Sequence, residues 1–131
     1  MYTHGVKCFS CRDVHGTDNE VLFIKPAKVM CLECYGPGSP NGPHTHTNEE
    51  HTHHKSDSPG VKCIACHMPK IEQTLADANV RSHTFRFISP AMTSAYKIPN
   101  PCTGCHKDKS IGWATAQLDR WKNVSAWRVE Q

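Results

Sequence analysis

The sequence predicts a mostly irregular and α-helical chain with little or no β-sheet, and three observations carry that expectation. Apolar residues make up 37% of the 131 positions, and nine prolines and eight glycines interrupt the chain. Long stretches therefore lack a hydrophobic period of either the helical or the strand kind. All eight cysteines fall in C-x-x-C pairs, at Cys8/Cys11, Cys31/Cys34, Cys63/Cys66 and Cys102/Cys105, and ten histidines accompany them. A chain this poor in apolar side chains needs some other filling or staple for its interior, and the cysteines and histidines are the candidates. The length fits a single domain, residues 1–131, or a fragment of a longer protein.

The individual elements are legible in local pattern. "NEVLFIKPAKVM" holds the one clear apolar run, Val21 to Ile24. It is expected as a short extended segment, because Pro26 prevents its continuation as an inner strand. Residues 36–60 are rich in Pro, Gly, His and Asn and read as a solvated loop. "KIEQTLADANV" sets Ile71, Leu75 and Ala78 at i, i+4 and i+7 and predicts a short amphipathic helix. "SIGWATAQLDRWKNV" predicts the clearest helix: Ser110 caps it, and Ile111, Ala114, Leu118 and Trp121 form one stripe. Its tryptophans read as packing residues.

Charge and hydropathy exclude other classes of function. The formal charge is +3, with Lys and Arg scattered and no basic run to follow a phosphate backbone, so no nucleic-acid partner is expected. No apolar run reaches membrane-spanning length, and none has the form of a signal-peptide core.

The residue after each cysteine pair separates the chemistries. It is Arg12, Tyr35, His67 and His106 in turn. Two pairs thus read C-x-x-C-H, the c-type haem attachment signature. In that chemistry both thiols add to the haem vinyl groups, and the adjacent histidine reaches the iron. Cys63, Cys66 and His67 form one such set, and Cys102, Cys105 and His106 the other. Cys8, Cys11, Cys31 and Cys34 keep the cysteine spacing without the histidine. Arg12 is a poor iron ligand because a guanidinium stays protonated, whereas Tyr35 is a donor that can ligate ferric haem. The expected count is therefore two haems, and up to four.

A six-coordinate haem iron needs a second axial ligand, and spare histidines are at hand. His15 lies four residues after Cys11, His83 stands beside Phe85 and Phe87, and His4 precedes the first pair. "HTHTNEEHTHHK" adds His44, His46, His51, His53 and His54. Taken singly, His44, His46, His51 and His53 read as loop histidines with incidental metal affinity.

With these residues in view, the chain resembles the multihaem c-type cytochromes. The closer likeness is to the branch related to the pentahaem nitrite reductases, the octahaem hydroxylamine-type enzymes and their electron-transfer relatives. "CIACHMPK", "SHTFRFISP" and "IPNPCTGCHKDKS" followed by "WATAQLDRW" carry the resemblance, in that order. "CFSCRDVHG" and "CLECYGPGSPNGPH" look like earlier sites of the same family with the proximal histidine replaced. The likeness covers residues 4–122.

It implies a domain whose core is haem, serving electron transfer between redox partner proteins or with further haem domains of a longer exported chain. His67 and His106 would be proximal ligands. His54, in the family-like context "HHKSDSPGVKC", and His83 would be distal ligands, with His15 a further candidate. It also implies a periplasmic or other extracytoplasmic location in a bacterium or archaeon, the signal peptide being absent from this chain. Two haems would bring four propionates and shift the net charge from +3 to roughly −1.

Two alternatives stay open at this point. Cys8, Cys11, Cys31 and Cys34 are spaced C-x2-C-x19-C-x2-C, which suits a structural four-thiolate zinc site and a zinc-stabilised interaction module. The loss of histidine at Arg12 and Tyr35 also suits a reductase or oxidase fragment with an open haem position. Disulfides within the pairs would close tiny loops and staple little.

Overall fold

The computed structural model describes residues 5–13, 15–16, 23–36, 39, 47–75 and 78–121. His4, Val21, Leu22, His44 and His46 fall outside them. The chain divides into two compact units, Met1–His44 and Thr45–Gln131.

In the first unit, Cys8–Ser10 form a single 3-10 turn. The Lys7 backbone N–H donates to the Ser10 hydroxyl at 3.1 Å and tightens its start. The chain then turns back, so that Arg12 and Phe23 pair as an antiparallel bridge and Ile24 N–H donates to the Cys11 carbonyl at 3.2 Å. The expected extended run is met to this extent at its described end. Helix α1, Ala27–Tyr35, begins after Pro26 and carries Cys31 and Cys34. An ion pair from Lys25 to Glu33 at 2.6 Å spans its outer face, half-exposed at both ends and so worth little. Among the described residues of this unit no apolar side chain is buried, and Phe9 is 71% exposed.

The second unit begins with α2, Asn48–Thr52, inside the tract expected as loop. Thr47 and Glu50 form a reciprocal capping box: Glu50 N–H donates to Thr47 Oγ1 and Thr47 N–H to Glu50 Oε2, both at 3.1 Å. Two orphan donors are thereby satisfied, which lets so short a helix stand. A 3-10 turn, Pro59–Val61, leads into α3, Cys63–His67.

Strands β1, Lys70–Leu75, and β2, Ala78–Arg81, pair antiparallel as a hairpin, in register Lys70↔Arg81, Glu72↔Val80 and Gln73↔Asn79. This corrects the helix expected over residues 70–80. A spacing of four, as between Ile71 and Leu75, satisfies strand alternation as well as a helical turn. The β-branched Ile71, Thr74 and Val80 then favour the strand. The sheet content stays small, as expected.

Three helices complete the unit. Ser89 accepts from Met92 N–H and, with Pro90 at the first turn, starts α4, Pro90–Tyr96. Asn100 and Pro101 repeat that device for α5, Pro101–Cys105. Helix α6, Ile111–Arg120, begins at the Ser110 cap as the sequence predicts. It packs against α4, and Ala114 and Leu118 on it are buried, as are Met68 and Ile88. No helix among the described residues is long and apolar enough to cross a membrane.

Candidate functional site

The second unit gathers both C-x-x-C-H segments. Cys63 and Cys66 lie on α3, where a spacing of three puts two side chains on one helical face, and His67 ends that helix. Cys102 and Cys105 lie likewise on α5, with His106 as its terminal cap. The two short helices touch, and their thiols act on one another. Burial pushes the Cys66 thiol up to about 12, and Cys102, Cys105 and Cys63 add to the shift. Cys102 is also raised, first by burial. Such surroundings favour an uncharged sulfur, a protonated thiol or a thioether, over a thiolate.

The rings facing these two histidines come from one place. His51, on α2, lies parallel to His67 with ring centres 6.1 Å apart and planes 10° from parallel. His54, just past the same helix, faces His106 at 6.2 Å. A metal bound by two imidazoles, with bonds of about 2 Å to each nitrogen, holds their ring centres about 6 Å apart. Each pair therefore has the spacing for one metal ion between its rings.

Backbone groups and neighbouring rings hold these imidazoles from behind. His54 Nδ1–H donates to the Thr52 carbonyl at 2.5 Å, which leaves Nε2 with its lone pair outward. His53, in the left-handed conformation at φ 55°, turns the chain between them and stacks on Trp121. Gly60 lies so close to the His54 ring that any Cβ there would collide with it. The His67 ring donates to the backbone of Phe85, itself held at φ 56°, while Phe87 lies beside His67. Burial, then the charge of His51, lowers the His67 pKa; burial, then His53, lowers that of His51. Both rings are thus biased to the neutral form that binds metal. Trp113, from the first turn of α6, packs on His106 at 5.0 Å.

The other candidates lie elsewhere. His83 is exposed, with Nδ1 bonded to the Arg81 carbonyl at 2.8 Å and Phe85 edge-on to its ring. In the first unit, His15 is exposed, its backbone N–H bonded to Asp13 Oδ1 at 3.0 Å. Arg12 spreads its guanidinium over Phe23, 5.1 Å from the ring centre, and Tyr35 is exposed at the end of α1.

Reasoning on the sequence missed His51 as a partner of His67, and Trp113 as a neighbour of His106. A signal for the first was present: "TNEE" is a capping box, and the helix it starts carries His51. For Trp113 there was none, since a tryptophan on a helical stripe is ordinarily core.

Haem and zinc fit these residues differently. A c-type haem asks of the protein two thioethers and two axial nitrogens, and each set in the second unit offers those. A protein-only zinc site needs three or four converging donors. Among the described residues no group of three or more His, Cys, Asp and Glu is gathered in that way. Comparison with family models, with curated proteins and with solved structures finds no match to this chain.

Proposed function

We propose that this chain transfers electrons through c-type haems bound covalently at Cys63/Cys66 and Cys102/Cys105. The observation that carries the reading is the pair of facing imidazoles, His67 with His51 and His106 with His54, each spaced for one iron. Haem held there would supply a one-electron couple at each site. The cysteines anchor, and the four histidines saturate both axial positions, leaving none for a substrate; this favours electron transfer over catalysis at these two centres. The Thr52 carbonyl and the Phe85 backbone fix the orientation of His54 and His67. Contact between α3 and α5 keeps the two attachment sites adjacent, as passage of electrons between them requires.

The partners would be other redox proteins or haem domains, and maturation would place the protein outside the cytoplasm. Haem at Cys8/Cys11 and Cys31/Cys34, where Arg12 and Tyr35 come after the pairs, belongs to the same proposal as an upper count of four. Intact mass after expression with a cytochrome c maturation system tests it. The expected result is at least two haems added to the polypeptide, with tryptic peptides spanning Cys63–Cys66 and Cys102–Cys105 carrying them. Free thiols in both peptides would overturn the reading.

A further inference from the structure

Arg81 ends β2 and reaches back over α3. Its Nη1 donates to the carbonyl of Ile64 at 3.1 Å and to that of Met68 at 2.9 Å. Ile64 lies within the attachment helix, and Met68 comes directly after His67. The Ile64 carbonyl already accepts from Met68 N–H at 3.2 Å and takes the arginine as a second donor. The Met68 carbonyl lies past the last helical turn, where the helix itself offers no donor, and takes the arginine there. The arginine is held in turn. It pairs with Lys70 across the hairpin, Ser82 N–H donates to the Pro69 carbonyl at 2.9 Å, and its own carbonyl accepts from His83. The guanidinium keeps its charge at every working pH, and its half-buried position screens it less than a surface lysine.

Resting on the electron-transfer reading, we propose that Arg81 sets the reduction potential of the Cys63/Cys66 centre, holding it higher than the ligands alone would. It does so as a permanent cation fixed at the end of the attachment helix. The couple takes one electron from a one-electron donor protein and turns ferric iron to ferrous. No bond is made or broken and no proton moves, so the net change is one positive charge less beside Arg81. A fixed cation nearby favours that reduced state. Arg81 is thus a positioning residue, acting through the helix it clamps and the field it imposes.

The experiment is an optical redox titration of the whole haem-loaded chain beside Arg81→Gln and Arg81→Lys. With Arg81→Gln, the reduced-to-oxidised ratio of one centre at a fixed potential should fall about tenfold, a midpoint lower by about 59 mV. The other centre and the low-spin bands should be unchanged. Arg81→Lys, which keeps the charge, should return the midpoint close to its original value. Unchanged midpoints in a loaded Arg81→Gln protein overturn the proposal, as does an Arg81→Lys midpoint as low as that of Arg81→Gln. If Arg81→Gln does not mature, Arg81→Lys decides: a loaded protein at the original midpoint supports the assignment. Failure of both to load makes Arg81 a structural clamp only and overturns it. A parent chain that carries no haem by mass instead overturns the electron-transfer reading beneath it.

Discussion

A methyl group at Gly60 would enter the space filled by the His54 imidazole, so this position tests how tightly that ring is seated. In the haem-loaded chain, Gly60→Ala should push His54 off and convert one of two low-spin centres to high spin, seen in the visible and Raman spectra. Two low-spin centres in that variant would mean His54 ligates nothing.

Cys66 offers a second test at the same scale. Its thiol is raised from 9.0 to about 12 by burial and by its neighbouring thiols. Between those values the folded chain keeps a proton that the unfolded chain has lost. The contribution is therefore full below pH 9 and is lost as pH rises toward 12. In the haem-free chain, stability to urea should fall by roughly 1 kcal/mol per pH unit across that window. A thioether does not titrate, so haem attachment should abolish this slope; an equal slope in both forms would count against attachment at Cys66.

Among the elements, α5 depends on one residue more than on any stripe. Asn100 is 0% exposed; its Oδ1 accepts from Thr103 N–H at 3.0 Å and its Nδ2 donates to Thr93 Oγ1 at 2.9 Å. It caps α5 and ties that helix to α4. Asn100→Ala removes the cap and leaves a partly buried hydroxyl without its donor. The expected loss is about 3 kcal/mol in chemical denaturation, together with lower haem occupancy at Cys102/Cys105. Thr47→Ala, at the exposed capping box of α2, should cost only about 1 kcal/mol. Because His51 lies on α2 and His54 follows its His53 cap directly, that variant should disturb both centres, whereas Asn100→Ala acts on the second.

At the scale of the whole molecule, the buried apolar side chains among the described residues are Met68, Ile88, Ala114 and Leu118 with the prolines Pro69, Pro90 and Pro101, all in the second unit. In the first unit Phe9, Ile24, Val29 and Tyr35 stand exposed instead. The apolar interior seen among the described residues is small against the entropy of ordering them. On the proposed reading, haem bound in the second unit would supply the missing apolar contact. The variant Cys63→Ala/Cys66→Ala/Cys102→Ala/Cys105→Ala, which cannot attach haem at the intact motifs, should therefore melt broadly, without a cooperative transition by circular dichroism. The loaded chain should melt sharply. A sharp transition in the variant would show a polypeptide that needs no cofactor to fold.

Short-range chemistry determined what the sequence could tell by itself. The C-x-x-C spacing, the histidines after Cys66 and Cys105, and the Ser110 cap with its stripe through Ala114 and Leu118 all lie within one or two helical turns. Ser-Pro at Ser89 and Asn-Pro at Asn100 are equally local signals for α4 and α5. The hairpin over Lys70–Arg81 was decided by cross-strand pairing, which a four-residue spacing does not distinguish from a helix. Which imidazole faces which was decided by tertiary structure alone. His51 and His67 are sixteen residues apart, His54 and His106 fifty-two. Packing of α2 on the Pro59–Val61 turn, of that turn on α3 and of α3 on α5 brings them together, along with the room left by Gly60. A pairing set by several packed elements at once leaves no trace in the spacing along any one of them.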